Sequence, residues 1–459
     1  MGKIPEGNIE GGNIMKQDVD ILILIEHINR ELDTALLLKI LLSTKGYSVQ
    51  IASIPFDMWE TVATVRPRFL IVPWGNLSLS KFRRYSLQER EGLRILNLHQ
   101  EQVAVESYLE SVKAPRGESQ DTFHLVWGER FEKILLARGV PKELILRTGN
   151  PRLDLLRPEM ASFNPDRQSL ASSYDLDPDR RWILVAGNFS LVSASKGSIR
   201  KMVSRGRKDF PSRVERVRSL YTKTLGWMER LAGEMSDLEI IYRPHPSERI
   251  TPALKEICTR TPRIKVIQER PLGDWILQSD SVFVWSSTSS VDALVADKPV
   301  FAIRHEDDGA SAFPDTYFPI LDDLPKVNDY ETFRSSATCN DKPSTHPRWE
   351  SAFLKFREFY DIPPEPAFVR LGRTISEIMG KGEGVRFQQV PIHSALRSLY
   401  RLQHAGKRGL HNLGIIRSVR RYEREADDRL VQRSLVERET FLTEKLKGTP
   451  WLAGREGSL

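Results

Sequence analysis

The stretch VFVWSSTSSVDALVADKPVF, Val282 to Phe301, sets two apolar runs on either side of a hydroxyl-rich turn and a helical segment. A continuous apolar run with no polar alternation reads as a strand buried on both faces. Strand, helix and returning strand make a parallel α/β unit. Ser286, Ser287 and Thr288 precede a helix start, where the first N–H groups lack partners within the helix; such a turn binds an anion without a metal. Capping alone asks for the same residue types. Asp292, one turn in, is spaced either to accept hydrogen bonds from a ribose or to serve the helix end.

The alternation extends outward from this unit. ILILI at 21–25, YSVQIAS at 47–53, RFLIVPW at 68–74, LRILNL at 93–98, FHLVWG at 123–128 and LILRTG at 144–149 read as six strands. WILVAG at 182–187, LEIIYR at 238–243, IKVIQE at 264–269, SVFVWS at 281–286 and PVFAI at 299–303 read as five more. Helical patterns separate them, including RELDTALLLKILLSTKG, stopped by Gly46, and RVERVRSLYTKTLGWMERLAGEM. At 459 residues the chain exceeds what one core organises. The fold expected is α/β, with two Rossmann-like doubly wound domains facing a cleft. The polar, turn-rich stretch Asn164 to Arg181 marks the expected boundary. The expected organisation is a disordered lead over 1–20, a first domain over 21–165, a second over 180–385 and a basic helical tail over 386–459.

Doubly wound sheets bind ligands beyond the C-terminal ends of their strands. Strand ends therefore carry the candidate site. LEIIYRPHPSE, Leu238 to Glu248, follows a strand with Arg243 and His245 in a loop stiffened by Pro244 and Pro246: a cation and an imidazole suited to an anion. Asn188, just past WILVAG, is a further candidate contact. KGSIRKMVSRGRKDFPSRVERVR, Lys196 to Arg218, holds nine Lys or Arg against two acids. It suits an acidic sugar or a diphosphate-lipid acceptor, or is a solvated loop leading into a helix.

Composition narrows the remaining classes. With 40% hydrophobic and 28% charged residues the body is that of an ordinary globular chain, and no run approaches the length of a membrane span. The first 20 residues lack an apolar signal core, and Glu6 stands where a myristoylation signal prefers Ser or Thr. Cys258 and Cys339 form neither a disulfide framework nor a metal cluster, which suits a reducing cytoplasm. The DxD-like strings DVD (18–20) and DLDPD (175–179) read as solvated turns, so no metal is expected. The net charge of +7 is concentrated at the C-terminus, where Pro391 to Leu459 holds 14 Lys or Arg against 8 Asp or Glu. His393 to Tyr422 contains no acid at all. Such a segment can lie on an anionic membrane surface, grip nucleic acid, or stand as a solvated arm; of the two ligands, membrane is preferred.

RPHPSE followed by SDSVFVWSSTSSVDALVADKPVF resembles the donor domain of GT-B glycosyltransferases that build bacterial surface polysaccharides, a group including capsule and lipopolysaccharide Kdo transferases and CDP-glycerol glycerophosphotransferases. ILILIEHINRELDTALLLKILLSTKGYSVQIAS, VWGERFEKIL and RTGNPRLDLL look like the first domain of surface carbohydrate biosynthesis proteins. The resemblance spans about Ile21 to Ala302 and implies a GT-B arrangement. It also implies that His245, Ser286, Ser287 and Thr288 contact the donor phosphate and stabilise the leaving group without metal or cofactor.

An inverting transfer needs a base for the acceptor hydroxyl. EHINRELD supplies Glu26, His27, Glu31 and Asp33 after the first strand, and NLHQEQVAVE supplies His99 and Glu101 after the fourth. Glu101 is preferred, then Glu31, although related Kdo transferases carry their acid beside glycine and this chain has Gln102 there. Capping of the first helix accounts equally for the EHINRELD group. The expected activity is transfer of a sugar from a nucleotide-activated donor, CMP-type favoured, onto a glycan or lipid-linked glycan precursor at the cytoplasmic face of the membrane. CDP-polyol phosphotransfer, nucleotide-sugar 2-epimerisation (the TGNP string is shared with such enzymes) and a non-enzymatic membrane or nucleic-acid adaptor are the alternatives.

Overall fold

The computed structural model describes residues 9–10, 13–14, 17–26, 28–54, 61, 65–73, 93–100, 102, 122–245, 248–304, 318–380, 432–447 and 449–452. The chain divides into two compact units: Met1–Gln102, Lys113–Arg152 and Asp361–Leu459 make the first, and Val103–Val112 and Leu153–Tyr360 the second.

In the first unit a short antiparallel ribbon, β1 (Ile9–Glu10) and β2 (Asn13–Ile14), precedes the main sheet. That sheet contains the six expected strands: β3 (Gln17–Ile25), β4 (Val49–Ser53), β5 (Val65–Val72), β6 (Arg94–Asn97), β7 (Phe123–Val126) and β8 (Ile145–Arg147). They run parallel in the order β4-β3-β5-β6-β7-β8. The expected lead over 1–20 needs correction, because β3 starts at Gln17. The DVD string is likewise no turn but part of this strand. Arg66 donates to Asp18 at 2.6 and 2.8 Å, and Asp20 accepts from Arg68 at 3.0 Å and from Ser48 at 2.9 Å.

Helix Ile28–Thr44 buries apolar residues around most of its circumference, among them Leu36, Leu37, Leu38, Leu41 and Leu42. Such a helix must be covered on both sides. One side meets β3 and β4; helices Ala367–Gly380 and Gln432–Lys447 cover the other. Gly372 permits the first of these contacts, since a β-carbon there would lie 2.5 Å from Leu41 Cδ2. Leu442 and Leu446 seal the second, flanked by ion pairs Arg438–Asp33 at 2.8 Å and Lys39–Glu439 at 2.6 Å. The expected domain ends at 385 and 386 are thereby corrected: residues 367–380 and the described helix of the tail belong to the first unit. The basic segment His393 to Tyr422 lies outside the described residues.

The second unit holds β9 (Arg181–Gly187), β10 (Leu238–Pro244), β11 (Ile264–Val266), β12 (Ser281–Trp285), β13 (Val300–Ile303) and β14 (Lys326–Val327). All are parallel, in the order β11-β10-β9-β12-β13-β14. Five were expected; β14, two residues long, was not. The chain winds outward from β9 first to one side and then to the other, so the winding reverses between β9 and β12.

The boundary expected at 164–181 also moves. Helix Arg167–Tyr174 within it is capped by Asp166 and ended by Asp175 in the left-handed conformation, so its polar composition is that of a surface helix. It is fastened to the second unit: Arg167 donates to the carbonyls of Pro178 and Gln278 and pairs with Asp280, and Tyr174 packs edge-on against Trp275. Leu155, Leu156, Met160 and Phe163 before it are already buried. The crossing between units falls instead at Arg152/Leu153. DLDPD at 175–179 is the turn it was expected to be.

Candidate functional site

β9 lies between β10 and β12, and their ends are level: Gly187 is in register with both Pro244 and Trp285. The next residues are Asn188, His245 and Ser286. With strands about 4.8 Å apart, the three stand side by side across roughly 10 Å, at the crevice where winding reverses and doubly wound sheets bind ligands.

Packing beneath this row fixes it. Phe189 turns back under the end of β9, fully buried, stacking on Trp285 at 4.8 Å and 7° and meeting Tyr221 edge-on at 5.3 Å. Only glycine tolerates that fold-back at 187, because a β-carbon would lie 2.4 Å from the Phe189 ring. Asn188 is thereby turned toward β12 and donates to the Ser286 carbonyl at 3.4 Å. Ser286 itself has φ 46, a conformation uncommon outside glycine and often found where a turn is shaped for function.

The serine run divides between structure and solvent. Ser287 Oγ accepts from Ser289 N at 3.3 Å, while the carbonyls of Ser287 and Thr288 take the N–H groups of Ser290 and Val291 at 3.4 and 3.0 Å. This corrects the expectation that the first amides of helix Ser289–Val295 are open to an anion. Hydroxyls are what the turn offers. Thr288 is exposed and its side chain makes no capping bond, and Ser286 and Ser287 are partly exposed. Asp292, assigned to a ribose, is 3% exposed within the helix.

On β10, His245 is exposed at the strand end, as expected. Arg243 points elsewhere. Its guanidinium donates to the carbonyls of Ile267, Glu269 and Arg270, tying β10 to the loop after β11. Burial lowers its pKa to about 10, so it remains a cation behind the row of strand ends. Pro246 and Ser247 lie outside the described residues.

Two residues to which sequence reasoning gave no role of their own complete the site, although Phe189 stands at a strand end it singled out. Phe189 is one. The other is Glu248, buried to 5% exposure, whose Oε2 accepts from Phe189 N at 3.0 Å and His245 N at 3.4 Å. Its Oε1 is hydrogen-bonded to the Tyr242 hydroxyl, and burial pushes its pKa up to about 7. The sequence signal was an acid closing the turn three residues after His245.

Candidates in the first unit fare differently. Glu31 is 3% exposed; it accepts from Glu26 N at 2.8 Å and from Arg30 at 3.1 Å, which is the helix-start role. Glu26 sits beside it, partly exposed, and Asp33 is taken by Arg438. His99, with φ 47, sets Nε2 2.9 Å from His124 Nδ1 and stacks on that ring at 5.1 Å. Burial, then the neighbouring His124, pushes the His99 pKa well below the usual imidazole value. Gln102 accepts from Trp127 N and donates to the Leu125 carbonyl, both at 2.9 Å. An ionised acid could not donate there, which accounts for the amide. His27 and Glu101 lie outside the described residues.

Lys196–Arg218 is ordered as helix Lys196–Ser204 and the start of helix Phe210–Glu234, with Lys196, Arg200, Lys201, Arg205 and Lys208 at or near the surface. Among the described residues no three or more His, Cys, Asp or Glu are grouped to hold a metal ion. Nor is any described helix long and apolar enough to cross a membrane.

No protein-family model matches the chain, and no curated protein does. Solved structures do. A variant of the wall teichoic acid polymerase TagF carrying a single histidine-to-asparagine change aligns over 80% of this chain and 90% of its own, with TM-score 0.55 and 12% identity. A second TagF variant, with a histidine replaced by alanine, gives TM-score 0.53 at the same identity and coverage. A UDP-N-acetylglucosamine 2-epimerase covers 83% of this chain and 100% of its own at TM-score 0.45 and 13% identity. Identities this low speak for architecture alone. Together with the two strand orders, the TagF alignments give the chain the α/β fold of the GT-B class.

Proposed function

We propose that the chain transfers a sugar from a nucleotide-activated donor, CMP-type favoured, to a bacterial surface-glycan precursor. The observation carrying this reading is the row Asn188, His245 and Ser286, directly after strand ends that are level at the reversal point of the second sheet, with Ser287 and Thr288 in the turn that follows. His245 and the hydroxyls of Ser286, Ser287 and Thr288 hold the donor phosphate. As the bond to the leaving phosphate breaks, a protonated imidazole and fixed hydroxyl donors offset the charge that develops. Arg243 adds positive potential from behind while bracing the floor. No metal is assigned a part, and Glu101 is the base assigned to the acceptor.

Polyol-phosphate transfer is a second reading, favoured by the likeness to the teichoic acid polymerase, one of whose structures is described as soaked with CDPG. A CDP-polyol giving up polyol phosphate also leaves CMP, so one pocket serves both chemistries. Calorimetric titration of the purified chain with CMP, CDP, UDP, GDP and ADP tests the site, with His245→Ala alongside. Selective binding of a cytidine nucleotide, weakened at least about tenfold by the substitution, is expected from loss of a charge-assisted contact. Binding of none of the five would overturn the proposal. Turnover of CMP-sugar against CDP-polyol then separates the two readings.

A further inference from the structure

We propose that Glu248 is a positioning residue for this site: one buried carboxyl holds the loop after β9 and the loop after β10 in the arrangement an anionic donor requires. The proposal rests on the donor-site reading above. Glu248 accepts from the backbone of Phe189 in one loop and of His245 in the other, and its own N–H donates to the His245 carbonyl at 2.7 Å. Those loops leave strands in register at Gly187 and Pro244 and carry Asn188 and His245 into the row. Without the carboxyl, the buried Phe189 N–H and the part-buried His245 N–H lose this acceptor, and the loops lose the group that couples them.

The chemistry of this carboxyl gives the role a signature. Protonated on Oε1, it donates to Tyr242 while Oε2 still accepts from both amides, so the acid form keeps the whole network. Glutamine reproduces that form, with Nε2 toward Tyr242 and Oε1 toward the amides. The ionised form keeps the geometry but sets a negative charge beside the phosphate site. Tyr242 faces it from β10 and Tyr221 from helix Phe210–Glu234. Burial raises Tyr221 to about 12 and Tyr242 well above an ordinary phenol, so neither changes charge near neutrality. His245 is the other titratable neighbour, its backbone N–H bonded to the same carboxyl. It is common to wild type and Glu248→Gln, so the difference between these two isolates Glu248. A carboxyl ionising near pH 7 repels the donor increasingly as pH rises, and affinity falls with it.

The test titrates CMP into the full-length wild type, Glu248→Gln and Glu248→Ala at pH 6 and pH 8 at fixed ionic strength. Amide hydrogen exchange is followed at residues 187–190 and 243–248 without ligand. Wild type should lose affinity from pH 6 to pH 8 by a factor on the order of three to ten more than Glu248→Gln does. Glu248→Ala should bind at least about tenfold more weakly and lose protection at Phe189 and His245, while Glu248→Gln keeps both. Wild-type protection and affinity in Glu248→Ala would overturn the positioning role and leave the donor site standing. Equal pH slopes in wild type and Glu248→Gln would overturn the repulsion ascribed to the ionised carboxyl. Failure of the wild type to bind any nucleotide removes both proposals together.

Discussion

Gly187→Ala isolates the packing beneath the candidate site. The substitution adds one methyl group, and the backbone there lies outside the left-handed region, so strain is not at issue. The new carbon would stand 2.4 and 2.5 Å from two atoms of the Phe189 ring. Carbon atoms prefer about 3.5–4.0 Å, so the overlap exceeds about 1 Å. The ring cannot yield cheaply, being fully buried between Trp285 and Tyr221. If the surroundings shift, the penalty is that of overpacking, about 1–3 kcal/mol. If the ring is expelled, it approaches the loss of a buried Phe, about 3–5 kcal/mol. A value near 3 kcal/mol with a urea m-value of about 3 kcal/mol per M lowers the unfolding midpoint by about 1 M. Trp285 stacks on the displaced ring, so tryptophan fluorescence follows the transition. Asn188 moves with the loop, and nucleotide affinity should fall too. A midpoint within about 0.2 M of wild type, with unchanged nucleotide binding, would refute the claim that the Phe189 fold-back shapes the row.

Two further comparisons separate structure from ligand contact and packing from charge. Arg243→Lys leaves one ammonium where a guanidinium reaches three carbonyls, and should lower stability by about 1–3 kcal/mol in denaturant titration; unchanged stability with weakened nucleotide binding would move that side chain onto the ligand. Leu442→Ala should cost about 2–5 kcal/mol by opening a cavity on helix Ile28–Thr44. Arg438→Ala should cost about 1 kcal/mol or less at its partly solvated ion pair. The reverse ranking would mean that charge docks the C-terminal helix.

The main strands of both sheets were legible because parallel strands buried on both faces write themselves as continuous apolar runs. Lys326–Val327 could not do so in two residues. The boundary was misplaced because a polar, Ser- and Asp-rich stretch signals a capped surface helix as readily as a linker, and the contacts of Arg167 that decide between them span over 100 residues. His245 and the serine run were legible as residues at strand ends. That Arg243 braces backbone, that Ser287 and Thr288 consume the helix amides, and that Glu248 joins two loops depend on side-chain direction, which spacing does not encode. Glu31 could be read either way from EHINRELD; its burial and the Glu26 amide give it the capping role.

The covering of helix Ile28–Thr44 by segments beginning at Ala367 and Gln432 imposes an order on biosynthesis. Its outward leucines leave the ribosome more than 300 residues before their partners. At roughly 5–20 residues per second they wait between about 15 seconds and a minute. Leu153–Tyr360 is complete before that wait ends, so the second unit can mature while the first still presents an apolar helix to water, and the early chain is the part a chaperone would meet.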